Sequence, residues 1–145
     1  MQEKSPKRIV LDTNVLVAAL ASPRSSSRQF ISEVSPVHEI CIPVFVLIEV
    51  NKTILDVDRF EPLRRTLPVS TSLLAQSTTS VPIAAKSPHA VTGDPDDDYV
   101  VDAAVRIGAS YIVTRDKRLL AVSGYKDIMV LNEVELLRLF RAGRL

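Results

Sequence analysis

Short apolar strands alternate with longer helical stretches along this chain, and that alternation constrains its fold more than any other feature. The first strand, Arg8 to Asp12 (RIVLD), is apolar on both faces, as a central strand of a parallel sheet is. It ends on Asp12, and NVLVAALA then reads as a helix. SSSRQFISEV carries a serine cap region ahead of Phe30, Ile31 and Val34, which predicts a second helix. EICIPV reads as the second strand and FVLIEVNKTIL as a helix. In the middle, FEPLRRTL reads as a helix with Pro62 in its first turn, SLLAQSTT as another short one, VPIA as a short strand and KSPHAVTGDP as a loop. DDDYVVDAAVRIGA is a helix closed by Gly108, YIVTRD a strand, RLLAVSGY a short helix and IMVL a final strand. NEVELLRLFRAG closes the series as a helix with Gly143 after it. Such a pattern implies an α/β fold, a parallel sheet with helices on both faces. In sheets of this kind ligands bind beyond the carboxyl ends of the strands, so the residues that follow each strand come under scrutiny.

The composition fits one globular domain over residues 1–145, with 46% hydrophobic and 24% charged residues. No apolar run approaches the roughly 18 residues of a membrane helix. The opening MQEKSPKR leads straight into a strand, so no secretory signal is expected. The single cysteine, Cys41, excludes an internal disulfide and a thiolate zinc cluster; within EICIPVF it reads as a small buried hydrophobe. A cytoplasmic location is the expectation. A net charge of +1 is far from the global basicity of a non-specific DNA binder, so any nucleic-acid contact must come from local patches.

Asp12 follows the first strand and Asp116 follows YIVT, which puts both at one edge of the sheet. Either alone is an ordinary cap or turn residue, whereas two at equivalent strand ends are more specific. Glu49 lies in the apolar stretch VFVLIEV, where a carboxylate is costly unless a cation or strong donors meet it; the plain alternative is a surface pair with Lys52. The run DPDDD supplies Asp94, Asp96, Asp97 and Asp98, acids that the helix dipole favours at a helix start. Helical phase places Asp98, Asp102 and Arg106 on a solvated face and Asp97 beside the buried one, so Asp97 is the first candidate to face a site and Asp98 its substitute. The run mimics the start of a calcium loop, but it lacks the turn glycine and the final Glu. Two bare carboxylates about 4 Å apart repel by about 4 kcal/mol at an effective dielectric near 20, so a convergence of Asp12, Glu49, Asp97 and Asp116 needs protonation or a divalent cation. Hard oxygen ligands favour Mg²⁺ or Mn²⁺, and ions held this way orient and activate water and neutralise a phosphodiester in hydrolysis.

IVLDTNVLVAAL, the Glu of VLIEV, DPDDDYVVDAAVRIGA and YIVTRDKRLL, in that order, resemble the PIN-domain nucleases, above all the bacterial PIN toxins of toxin–antitoxin pairs. The resemblance runs over nearly the whole chain and is weakest between Asp56 and Thr92. It implies a three-layer α/β/α fold with a five-stranded parallel sheet and an Mg²⁺- or Mn²⁺-dependent ribonuclease. The family's four acids fall on Asp12, Glu49, Asp97 and Asp116, and its small polar residues, which orient carboxylates or waters, on Asn14 and Thr114. A cognate antitoxin and a homodimer are implied by the resemblance alone. Bound RNA needs positive charge, for which Arg115, Lys117 and Arg118 flank Asp116, with Arg64 and Arg65 as a second phosphate contact or plain surface charge.

Other readings fit less well. A haloacid-dehalogenase-like phosphatase needs a second Asp two residues after the first, where this chain has Asn14, and a response-regulator receiver needs an acidic pair where it has Asp12 alone. His38 and His89 stand near no nucleophile elbow, and four glycines form no phosphate-binding loop. A PIN-like module that binds RNA or protein without cutting is the alternative of a different class.

Overall fold

A computed structural model describes residues 5–56, 75, 78–81 and 91–145. The elements in order are β1 (Arg8–Leu11), α1 (Thr13–Ala21), α2 (Ser26–Val34), β2 (Glu39–Pro43), α3 (Val44–Asp56), β3 (Thr78–Val81), α4 (Pro95–Arg106), β4 (Tyr111–Val113), α5 (Lys117–Val122), β5 (Gly124–Tyr125), β6 (Ile128–Leu131) and α6 (Glu133–Arg141). The strands form one sheet in the order β3-β2-β1-β4-β6-β5. All pairings are parallel except that of β5 with β6. The three-layer α/β/α class therefore holds, with five parallel strands and one antiparallel edge in place of five alone.

β1 sits between β2 and β4, and this explains why it is apolar on both faces: Ile9, Val10 and Leu11 are fully buried. Its register sets the site. Leu11 pairs with Val113, so the residues leaving β1 and β4, Asp12 and Thr114, emerge side by side at the carboxyl edge. α4 packs on β1 and β4, α1 on α2 and α3, and α2 on α6. The core beneath these helices includes Phe30, Ile31, Ile112, Leu119 and Leu136, each nearly inaccessible and each contributing about 1.5–3 kcal/mol of burial free energy. Cys41 is buried in this core, and burial pushes its thiol pKa up to about 11. Among the described residues, no helix is long and apolar enough to cross a membrane.

Two parts of the chain differ from expectation. RLLAVSGY does not continue as helix: α5 stops at Val122, Ser123 turns left-handed at φ 54°, and Gly124–Tyr125 pair back onto β6. The reversal is a two-residue loop whose first residue, Lys126, also has positive φ, a conformation usually taken by Gly or Asn and therefore without its customary signal here. In the middle, Thr78 and Thr79 of the expected helix SLLAQSTT belong to β3, where they pair with Ile40 and Cys41 and suit β-branched side chains. The expected strand VPIA shares only Val81 with β3. Residues 82–84, the expected helix FEPLRRTL with Arg64 and Arg65, and His89 lie outside the described residues. His38 precedes β2, and its Nδ1 accepts the Lys7 backbone N–H at 2.9 Å, a structural role at the end of the sheet remote from Asp12.

Truncating Phe30, which is fully buried on α2, leaves a cavity in the core. Phe30→Ala is expected to lower unfolding free energy by about 3–5 kcal/mol, read as an earlier urea midpoint with an unchanged slope.

Candidate active site

The site grows from Asp12. Its backbone leaves β1 by donating to Val113 O at 2.9 Å, and its side chain caps α1, accepting from Thr13 N at 2.8 Å. The second carboxylate oxygen accepts from the Thr114 hydroxyl at 2.7 Å. Thr114 is fully buried, and its hydroxyl oxygen also accepts from the backbone N–H of Asp116 at 3.0 Å. One hydroxyl thus ties the acid of β1 to the acid that follows β4. Asp116 in turn caps α5, accepting from Arg118 N at 2.8 Å.

α3 brings Glu49 to the same place, where its carboxylate accepts from the Thr13 hydroxyl at 2.7 Å. This contact replaces the surface pair with Lys52: among the described residues no ion pair joins the two. α4 supplies the opening turn capped by Asp94, with Pro95 at its first position. Asp97, on that turn, is only 7% exposed, and among the described residues its Oδ2 has no hydrogen-bond partner. Asp12, Glu49, Asp97 and Asp116 line a single cavity of about 360 Å³ with Thr13, Asn14, Lys52, Thr53, Asp94 and Asp96.

The electrostatics follow from this crowding. Burial raises the Asp12 pKa above its ordinary value, the bonds from Thr114 and Thr13 oppose the rise, and Asp116 and Asp96 add repulsion. Burial also raises Glu49, again against the Thr13 bond, with Asp96 and Asp12 adding to it. Asp97 is pushed up to about 6, first by burial and then by Asp116, Asp12 and Asp94, with Arg118 pulling the other way. Three carboxylates that resist ionisation around one cavity are a locus for a cation. The donor set suits a hard divalent ion: carboxylates, the Asn14 amide, the hydroxyls of Thr13 and Thr53, and one buried carboxylate oxygen without a partner. Among the described residues no three acidic, histidine or cysteine side chains are gathered closely enough to grip one ion between them. Asp12, Glu49, Asp97 and Asp116 are the carboxylates that would hold such an ion, and it would supply the positive charge their crowding calls for.

Other expected residues have different places. Asp98 and Asp102 do not lie on a solvated face; both are buried. The segment ahead of α4 folds back over Asp98, whose Oδ1 accepts from Val91 N at 2.9 Å, Thr92 N at 3.0 Å and the Thr92 hydroxyl at 3.2 Å, so Asp98 fastens the loop and does not line the cavity. Arg115 does not stand at the mouth. Its Nε donates to Glu133 Oε1 at 2.6 Å and its Nη2 to the Ser27 hydroxyl at 3.1 Å, so it faces α2 and α6. The reason is Glu133: only 2% exposed at the start of α6, it needs a cation, and Arg115 is the one supplied. Lys117 is exposed on α5 and does not line the cavity. Arg118 reaches the rim, where its Nη1 pairs with Asp94 Oδ2 at 3.2 Å.

Thr13, Lys52, Thr53, Asp94 and Asp96 are cavity residues beyond those expected. Lys52 is legible afterwards as the residue three after Glu49, hence on the same helix face. The Thr13–Glu49 bond spans 36 positions and has no local signal.

The comparisons with known proteins agree with this architecture. The family model described as PIN domain matches residues 8–118. No curated protein matches the chain by sequence. Among solved structures, VapBC2 from Rickettsia felis bound to a DNA fragment from its promoter is similar at 16% identity, with a TM-score of 0.63 over 86% of this chain and 98% of that one. FitAB bound to an IR36 DNA fragment is similar at 15% identity and a TM-score of 0.60, over 86% and 94% of the two chains. FitAcB from Neisseria gonorrhoeae is similar at 17% identity and a TM-score of 0.57, over 87% and 98%. At such identities the likeness is one of fold.

Burial alone would raise the Glu133 pKa, but the bonds from Arg115, its own backbone N–H and Ser26 hold it below the ordinary value. A depressed carboxylate contributes stability above its unfolded pKa and loses it as pH falls through the folded one. Arg115→Ala is accordingly expected to cost about 3 kcal/mol at pH 7, the low end for orphaning a buried charge because Arg115 is itself partly in solvent. The difference from wild type should shrink as pH drops below about 4.5, as urea melts across pH 3–7 would read.

Proposed function

This chain belongs to the PIN-domain family, and on that premise we propose that it is a divalent-metal-dependent endoribonuclease, the toxin member of a toxin–antitoxin pair. The observation that carries the reading is the convergence of Asp12, Glu49, Asp97 and Asp116 on one cavity, with a buried Asp97 oxygen that no donor among the described residues satisfies. Asp12, Glu49, Asp97 and Asp116 would hold Mg²⁺ or Mn²⁺, and Asn14 would complete the polar lining. When bound, such an ion supplies positive charge to a phosphodiester and acidifies a water molecule.

The chain's own residues do the positioning. Thr114 fixes the rotamer of Asp12 and the backbone of Asp116 together, so these two acids cannot shift independently. Thr13 holds Glu49 toward the cavity and away from solvent. The short α4 cap, Asp94-Pro95, sets Asp97 at the buried side of the first turn. An antitoxin partner follows from the family motifs and is supported by the likeness to VapBC2 and FitAB, both solved with DNA. A homodimer is proposed on the motifs alone.

Cleavage of a mixed RNA pool by purified protein is expected in Mg²⁺ or Mn²⁺ and not in EDTA. Asp12→Asn should slow it by about 100-fold or more with the fold retained, because Asn caps a helix as well as Asp does. RNA that is bound but never cut in either metal would favour a silent binding module, and Asp12→Asn cutting at the wild-type rate would refute the site.

Asp97→Asn gives a test that does not depend on finding the RNA. A carboxyl raised to about 6 destabilises the fold at pH 7, where it is forced to ionise, so its amide should gain about 1–2 kcal/mol without metal. Added Mg²⁺ should raise the Tm of the wild type and leave that of Asp97→Asn nearly unmoved.

A further inference from the structure

We propose that Lys52 grips a phosphate of the RNA backbone at the mouth of the acidic cavity, an inference that rests on the ribonuclease reading. A cavity lined by carboxylates repels RNA, and a chain of net charge +1 offers no general attraction to offset that. Binding therefore needs cations at the cavity itself. Of the arginines near Asp116, Arg115 is committed to the buried Glu133, and Arg118 stands at the rim in an exposed pair with Asp94.

Lys52 differs from both. It is exposed, lines the cavity one helical turn beyond Glu49, and among the described residues no carboxylate forms an ion pair with its ammonium. A lysine present only to neutralise the acids would fold onto Glu49, three residues away on the same face. Glu49 instead takes the Thr13 hydroxyl at 2.7 Å. In the same cavity Asp97 Oδ2 is buried with no donor among the described residues. The cavity thus keeps an unspent acceptor for a cation and an unspent donor for an anion, the two charges that a metal-bound phosphodiester brings together. An ammonium is a point charge on a flexible stem, so this contact holds the backbone and reads no base.

The test measures binding apart from cleavage. Asp12→Asn protein slows cleavage by about 100-fold or more, so that fluorescence polarisation with a labelled single-stranded RNA gives Kd across a salt series before the RNA is consumed. Adding Lys52→Ala should weaken binding about tenfold, equally for unrelated sequences, and flatten the slope of log K against log salt by about 0.7, one phosphate contact on a single strand. Lys52→Arg should restore both. In the otherwise wild-type enzyme Lys52→Ala should raise KM with kcat changed less than about twofold. A salt slope and Kd unchanged by Lys52→Ala would overturn the inference and leave the ribonuclease reading intact. No RNA binding by Asp12→Asn, together with no cleavage by the wild type, would overturn both.

Discussion

The Thr114 hydroxyl donates to Asp12 and accepts from the Asp116 backbone, and the rest of the site is arranged around that junction. It exists because β1 and β4 are adjacent and in register, so that the residues leaving them are neighbours. A carboxylate at the edge of an apolar sheet is expensive to bury. Asp12 is tolerated there because a buried hydroxyl and the N-terminus of α1 both meet it. Every other acid is then placed relative to a carboxylate that cannot turn away.

The site is accordingly more stable in parts than as a whole. Asp12, Glu49 and Asp116 each have a protein donor, yet burial and mutual repulsion still raise Asp12, Glu49 and Asp97 above their ordinary pKa values. Burial and the neighbouring Asp116, Asp12 and Asp94 push Asp97 up to about 6, and one of its oxygens has no donor among the described residues. Local stability would be better served by an amide at that position. A carboxylate kept under such repulsion is what a cation-binding function requires, and the cost is confined to a few side chains at the rim of an otherwise well-packed sheet.

Positive charge divides by burial in the same way. Arg115 and Arg118 are separated by two positions and were equivalent on paper, but a nearly inaccessible Glu133 claims the first and a half-exposed Asp94 the second. A buried carboxylate outcompetes a solvated ligand for a nearby guanidinium, since leaving it alone costs several kcal/mol. Arg115 therefore joins β4 to α2 and α6 and holds the start of α6, while Lys52, which forms no ion pair among the described residues, comes to the cavity from α3.

What the sequence by itself determined is the alternation of strand and helix, the apolar β1 inside the sheet, and acids after two strands, Asp12 and Asp116, at a helix start, Asp97, and among apolar neighbours within a helix, Glu49. Each has a local cause: side-chain period, cap chemistry, or a charge set among apolar neighbours. Asp97 was separable from Asp98 by helical phase, although the same phase misplaced Asp98 and Asp102, which are both buried; for Asp98 the reason is a loop closing over the helix, which leaves no mark in the helix's own periodicity. The β5 hairpin was hidden for a related reason, its positive-φ positions being held by Ser123 and Lys126 where Gly or Asn is usual. Tertiary structure alone decided which donor met which acid and which cation stayed unpaired. Those partners lie tens of residues apart, as in Thr13 with Glu49 and Arg115 with Ser27, and only strand order and register bring them within hydrogen-bond reach.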